Sequence, residues 1–205
     1  PEFLSIIDTV HGNAEMVDLF FVGLGLVIAG LLLISASVAT TVLASRQAGM
    51  TLMQTPIFSW SALVASISML LTLPVMAGAM IYVAVDHAYE RATFGATEGV
   101  NAWIGWAFTT PQIFIVAIPT LGVLAQIVAT MTRGKQPLRA GLLVGVGLMS
   151  PAVIGAVTQS SHTVSFSGSA SDVLKSLIPY LFFNHLPILG VFVVLGLSLL
   201  ALKNE

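Results

Sequence analysis

Residues 19–44 read LFFVGLGLVIAGLLLISASVATTVLA, twenty-six positions without a charged side chain. A helix needs about 20 predominantly apolar residues to cross the hydrocarbon layer of a bilayer, so this stretch can span alone. Four more stretches share its character: 57–85, 102–131, 140–160 and 173–202. None holds Asp, Glu or Arg well inside, and Lys175 stands only at the mouth of the last. Polar breaks separate them: Arg46 to Gly49, Asp86 to Glu98, Arg133 to Pro137, and Ser165 to Asp172. Pro74, Pro111, Pro119, Pro151 and Pro187 fall inside spans. Bilayer helices tolerate proline because neighbouring helices and hydroxyls satisfy the carbonyls it frees.

Composition points the same way. Of 205 residues 57% are hydrophobic and 8% charged, and the mean hydropathy is +0.99. A soluble domain carries about 25% charged residues, so lipid is the solvent for most of this surface. The expected fold class is all-α, a polytopic membrane helix bundle of five transmembrane helices. Residues 1–18 are expected as an acidic external segment, 19–202 as a single transmembrane domain, and 203–205 as a cytoplasmic tail. The net charge of −2, without a basic stripe, argues against a nucleic-acid partner. The lack of cysteine excludes disulfides, zinc–thiolate sites and iron–sulfur ligation by these residues. The chain opens Pro1-Glu2-Phe3, which leaves processing, a tag or a longer parent chain open. Residues 1–15 are too acidic, and too short of an apolar run, for a signal peptide.

Charge sets the expected orientation. Arg46, Arg133, Lys135, Arg139 and Lys203 fall on one side of the membrane, and Arg91 and Lys175 on the other. Basic residues in short loops favour the cytoplasm, so the first side is expected to be cytoplasmic and the N-terminus outside. Eight of the nine acids, Glu2, Asp8, Glu15 and Asp18 among them, lie on the external side.

The second and third spans carry a more specific pattern. Arg46-Gln47-Ala48-Gly49-Met50-Thr51 leads into Pro56-Ile57-Phe58-Ser59-Trp60-Ser61, and the same span ends in Leu73-Pro74-Val75-Met76-Ala77-Gly78-Ala79. The third span reads Trp106-Ala107-Phe108-Thr109-Thr110-Pro111-Gln112-Ile113-Phe114, then Ile118-Pro119-Thr120-Leu121-Gly122. The region resembles the fourth-to-eighth-helix part of haem-copper oxidase (cytochrome c oxidase) subunit I. There an Arg-Ala-Pro-Gly-Met-Thr loop precedes Pro-Leu-Phe-x-Trp-Ser and Leu-Pro-Val-Leu-Ala-Gly-Ala. The family's sixth helix carries Trp-Phe-Phe-Gly-His-Pro-Glu-Val-Tyr. Thr40 and Thr41 also match a threonine pair at the end of the family's fourth helix. The resemblance covers roughly residues 19–165. It implies that the first span runs from outside to cytoplasm, as the charges do.

The departures fall on the chemistry. In the family the motif's histidine binds copper, its glutamate passes protons and its tyrosine supplies oxidising equivalents. Thr110, Gln112 and Phe114 stand at those positions here. The resemblance places the other two copper ligands in a stretch that here runs from Gly155 to Val164 and contains His162 alone. One imidazole does not make a copper site. A proton relay needs ionisable groups inside the membrane, and these spans offer only histidine, beside Gln112, Gln126 and Gln159.

His162 stands near the external end of the fourth span, readable as a relic copper ligand, a haem ligand or a hydrated helix-end residue. His185, in Phe182-Phe183-Asn184-His185-Leu186-Pro187, lies deeper. A histidine buried in a membrane is a functional candidate, as a haem ligand or in a hydrogen bond with Asn184 or a carbonyl freed by Pro187. A haem shared by the two is disfavoured, since at about 1.5 Å per residue His185 lies some 18 Å inside residue 173. His11 and His87 read as solvated, and Trp103, Trp106, Tyr82 and Tyr89 as an interfacial aromatic belt. Gly141 and Gly145 form a small-xxx-small pair, read as packing within the chain rather than a dimer face. Gly23, Gly25 and Gly30 line the first span.

A scaffold kept while its chemistry is lost implies a non-catalytic membrane subunit. The expected role is a structural or accessory part of a respiratory electron-transfer complex, or the middle piece of a split subunit I. Such a chain is no enzyme on its own and needs no cofactor. Its partners are other membrane subunits and lipid, and the basic loop 133–139 can hold anionic headgroups. Thr40, Thr41, Thr110, Gln112, Gln126 and Gln159 are expected to seek hydrogen-bond partners away from lipid. The expected location is a bacterial or archaeal plasma membrane. A small transporter or channel subunit is one alternative, opposed by the lack of intramembrane charge and of an inverted repeat. The other is a haem-binding electron-transfer membrane protein using His185.

Overall fold

Backbone amides in lipid must be satisfied within their own segment, so apolar runs of this length become helices. In the computed structural model, residues 14–89, 98–131, 138–155 and 164–203 are described. Helix α1 spans Ala14–Ala44, α2 Ile57–Ala88, α3 Glu98–Met131 and α4 Arg139–Ile154. A last rod consists of α5 (Ala170–Tyr180), a π-helical turn (Leu181–His185) and α6 (Leu186–Lys203). A short 3-10 turn, Leu52–Gln54, precedes α2. Among the described residues there is no strand.

Four of the five expected spans are long and apolar enough to cross a bilayer: 18–44, 57–86, 113–131 and 170–202. Helix α4 is described for only 16 residues. At 1.5 Å per residue that is about 24 Å, short of a hydrocarbon layer of about 30 Å. Residues 156–163, expected to complete it, lie outside the described residues.

Two helices run past the ends of the apolar spans. Helix α1 begins at Ala14, inside the segment assigned to the exterior. Asp86, read as the start of a wet break, lies in the last turns of α2 and is only 5% exposed.

Local chemistry explains the ends. Ser169 and Asp172 form a capping box at the start of α5, with the Ser169 hydroxyl 2.6 Å from Asp172 Oδ2. Such a pair satisfies amide donors that the first turn leaves free. Gly49, in the loop after α1, adopts φ +84°, a conformation that disfavours any side chain. The π turn has a cause at Pro187, which lacks an N–H and whose ring crowds the carbonyl four residues back. The Leu186 amide instead reaches the Leu181 carbonyl, five residues back, and the Asn184 side chain donates to the Tyr180 carbonyl at 3.0 Å.

Two apolar clusters hold the bundle. One joins α1 to α2 through Phe21, Ile28, Met69, Leu73, Met76 and Met80. The other gathers Ile57, Ile118, Ala125, Val146, Met149 and Val194 from α2, α3, α4 and α6. Gly141 and Gly145 belong to the second interface. A Cβ on Gly141 would meet Leu197 at 2.7 Å, and one on Gly145 would meet Val194 at 2.8 Å. The small-xxx-small pair therefore serves packing within the chain, as read from the sequence. Gly23 and Gly30 of α1 instead face open space.

Candidate functional site

The two sequence blocks that carry the resemblance meet where α2 crosses α3. Ser61, from Phe58-Ser59-Trp60-Ser61, is fully buried and donates to the Phe58 carbonyl at 2.8 Å. Its hydroxyl fills the space beside Gly122, the last residue of the second block. Trp60 reaches back along the chain, its indole N–H donating to the Leu52 carbonyl at 2.9 Å. The Thr55 hydroxyl donates to the same carbonyl at 2.7 Å. Arg139, at the start of α4, donates through a guanidinium nitrogen to the Thr55 carbonyl. From sequence Arg139 reads only as an orientation charge; the structure makes it the tie between α4 and the loop before α2. Its place as the first residue of a span, where a cation can reach a neighbouring loop's carbonyls, was the available signal.

The positions where the resemblance implies chemistry lie on α3. Phe114 is half-buried and packs on the cluster that holds Ile57, Ile118 and Met149. Thr110 and Gln112 belong to the same helix, but their side chains lie outside the described residues, and His162 lies outside them altogether. A copper centre of the kind the resemblance implies needs imidazole donors. Position 110 supplies a hydroxyl, 112 a carboxamide and 114 a phenyl ring. The donor set does not fit that metal. Among the described residues no three His, Asp or Glu side chains gather.

His185 is placed differently from its reading as a buried histidine. It sits in the π turn, exposed on the outward face of the last rod. Its ring lies against Tyr180, with centroids 5.2 Å apart. Beside it, the Asn184 side chain donates to the Tyr180 carbonyl. An open groove of about 540 Å³ surrounds it, otherwise lined by Ile178, Leu181, Phe182, Leu186 and Leu189.

The polar side chains expected to seek outside partners divide. Thr40 donates to the Ala36 carbonyl at 2.8 Å and Thr41 to the Ser37 carbonyl at 2.7 Å, both within α1. A hydroxyl one turn from a free carbonyl lone pair needs no neighbour, so these two call for no other helix. Gln126 does, since its Oε1 is buried in α3 without a hydrogen-bond partner among the described residues. Tyr82 and Tyr89 are exposed, as an interfacial belt requires. The side chains of Trp103 and Trp106 lie outside the described residues.

Comparison with known proteins bears on the same segment. The family described as "Cytochrome C and Quinol oxidase polypeptide I" matches residues 4–179. A putative cytochrome c oxidase subunit 1-beta of Streptomyces avermitilis is 33% identical over 119 residues, 57% of this chain and 21% of that protein. The cytochrome c oxidase subunit 1 of Corynebacterium diphtheriae is 28% identical over 159 residues, 74% of this chain and 28% of that protein. A probable subunit 1-beta of Nocardia farcinica is 31% identical over 128 residues, 60% of this chain and 21% of that protein. The chain thus spans between a fifth and somewhat over a quarter of the length of these relatives.

Proposed function

The chain belongs to the cytochrome c and quinol oxidase polypeptide I family, and from that premise we propose that it is a non-catalytic subunit, a structural or accessory part of a respiratory electron-transfer complex. It is an integral membrane protein; the proposed membrane is a bacterial plasma membrane, with the N-terminus outside. The observation that carries the reading is Phe114. Where the resemblance calls for a phenol with redox work to do, a half-buried phenyl ring packs against the cluster that holds Ile118 and Met149. Thr110 and Gln112 extend the same substitution of chemistry by inert groups. Gln126, with a buried acceptor left over, supports the accessory role as well.

The test is the particle extracted from native membranes in mild detergent, with its mass, subunit content and metal measured. Other membrane subunits are expected to accompany the chain, with no copper attributable to it. A particle holding this chain alone would overturn the accessory role. One copper per chain, lost on His162→Ala, would overturn the non-catalytic one.

A further inference from the structure

The chain enters the last rod through Ser165-Phe166-Ser167-Gly168-Ser169, small polar residues around one aromatic side chain. Phe166 is 79% exposed, yet its backbone is pinned. The Ser165 amide donates to the Ser176 hydroxyl oxygen at 3.2 Å, and the Ser176 hydroxyl lies 3.3 Å from the Ser165 carbonyl. On the other side of Phe166, the Ser167 hydroxyl lies 2.8 Å from that of Ser165. Gly168, at φ +104°, then turns the chain into the capped start of α5. The loop is thus folded back along α5, with Phe166 held at the level of Ser176.

Charge fixes that level. Lys175 and Lys203 bracket the rod, 28 residues apart, with no Asp, Glu, Lys or Arg between them. At 1.5 Å per residue the separation is about 42 Å, the thickness of a bilayer of about 40–45 Å with its headgroups. Lys175 therefore lies among headgroups, and Ser176 one residue nearer the acyl chains. Phe166 shares that depth. No buried side chain of α5 backs onto the bundle here, and Leu174 and Ile178 are 54% and 56% exposed. An apolar ring at this depth gains by entering the boundary between headgroups and acyl chains.

We propose that loop 165–168 is a lipid hook, in which Phe166 inserts at the headgroup–acyl boundary beside Lys175 and fixes the depth of the last rod. The rod needs such a device. Its uncharged stretch, 176–202, is about 40 Å long at 1.5 Å per residue, against a hydrocarbon layer of about 30 Å. Hydropathy alone leaves a helix of that length free to slide or tilt, and anchors at the interface set its position. The grip is apolar. Lys175 and Asp172, 3.5 Å apart, cancel each other's charge next to the loop, so anionic headgroups are not required. The hook rests on the membrane location of the chain and not on its accessory role.

The chain has no cysteine, so a single nitroxide-labelled cysteine reports without background. Phe166→Cys, Ser171→Cys and Leu189→Cys are each purified with whatever subunits accompany the chain and returned to phosphatidylcholine bilayers. Collision of the label with oxygen, which concentrates in lipid, is measured against collision with a water-soluble nickel chelate. The oxygen-to-nickel ratio at 166 is expected roughly threefold above that at 171, and below that at 189. A second series keeps the label at Leu174→Cys, an exposed position at the same level. There Phe166→Ser should raise nickel contact roughly twofold, and Phe166→Trp should leave it unchanged. Phe166 is exposed, so the fold survives both changes. A ratio at 166 equal to that at 171 would overturn the proposal by placing the loop in water. Protection at 166 from both oxygen and nickel would overturn it in favour of a protein cover. No response of the Leu174→Cys label to Phe166→Ser would remove the anchoring role. A particle made of this chain alone would defeat the accessory role while leaving the hook intact, so the two failures are distinct.

Discussion

Ser61 occupies the space that any side chain at residue 122 would need. A Cβ on Gly122 would overlap the Ser61 hydroxyl oxygen, and it would lie 2.6 Å from the Ser61 Cβ and 3.3 Å from the Phe58 backbone. Backbone cannot move aside as the end of a flexible side chain can, so the α2–α3 crossing depends on a missing atom.

Gly122→Val should therefore destabilise the bundle by about 1–3 kcal/mol through overpacking. Gly23→Ala and Gly30→Ala, where a Cβ meets nothing within 4 Å, should stay within about 0.5 kcal/mol of the parent. Thermal unfolding of the three variants in one detergent compares them. Similar losses in all three would show that the crossing is not the tight point.

Arg139→Met keeps the apolar stem and removes the donor to the Thr55 carbonyl. A hydrogen bond from a charged group contributes about 1.5–3 kcal/mol, and that loss is expected here. Arg46→Met, at an exposed position, should change stability by less than about 0.5 kcal/mol. Denaturation midpoints in urea or in mixed detergent check the difference; equal effects would reduce Arg139 to an orientation charge.

The basic asymmetry, five residues against two, predicts sidedness. A cysteine at Ser169 should react with an impermeant thiol reagent added to intact cells, and one at Gly134 should not. The reverse pattern would invert the topology and break its agreement with the family's helix order.

The spans could be read from the sequence because lipid leaves the backbone one local solution. Residues 57–85 were expected and Ile57–Ala88 is found; 102–131 were expected and Glu98–Met131 is found. What hydropathy cannot give is the direction a residue faces. His185 reads as interior from its depth in the span, yet it lies on the outward face, because the π turn and the packing of Pro187 set the rotation of the rod. Asp86 reads as a loop residue from its charge, yet tertiary neighbours bury it. Thr40 and Thr41 read as groups in search of partners, yet each closes on its own helix. The motif blocks were legible as a resemblance. That Ser61 and Gly122 join them in space required coordinates, since they are 61 residues apart in sequence.

Helix α1 packs chiefly against α2, and that has a consequence for biogenesis. It is synthesised before α2, so it enters the bilayer before the helix it packs against in this structure. Its chemistry suits the wait: the hydroxyls of Ser35, Thr40 and Thr41 each close on a carbonyl of α1 itself. A surveillance factor that detects unsatisfied polar groups in the membrane would find no such signal in those three. The last rod is the opposite case: among the described residues His185 meets the Tyr180 ring but closes on no carbonyl of its own helix.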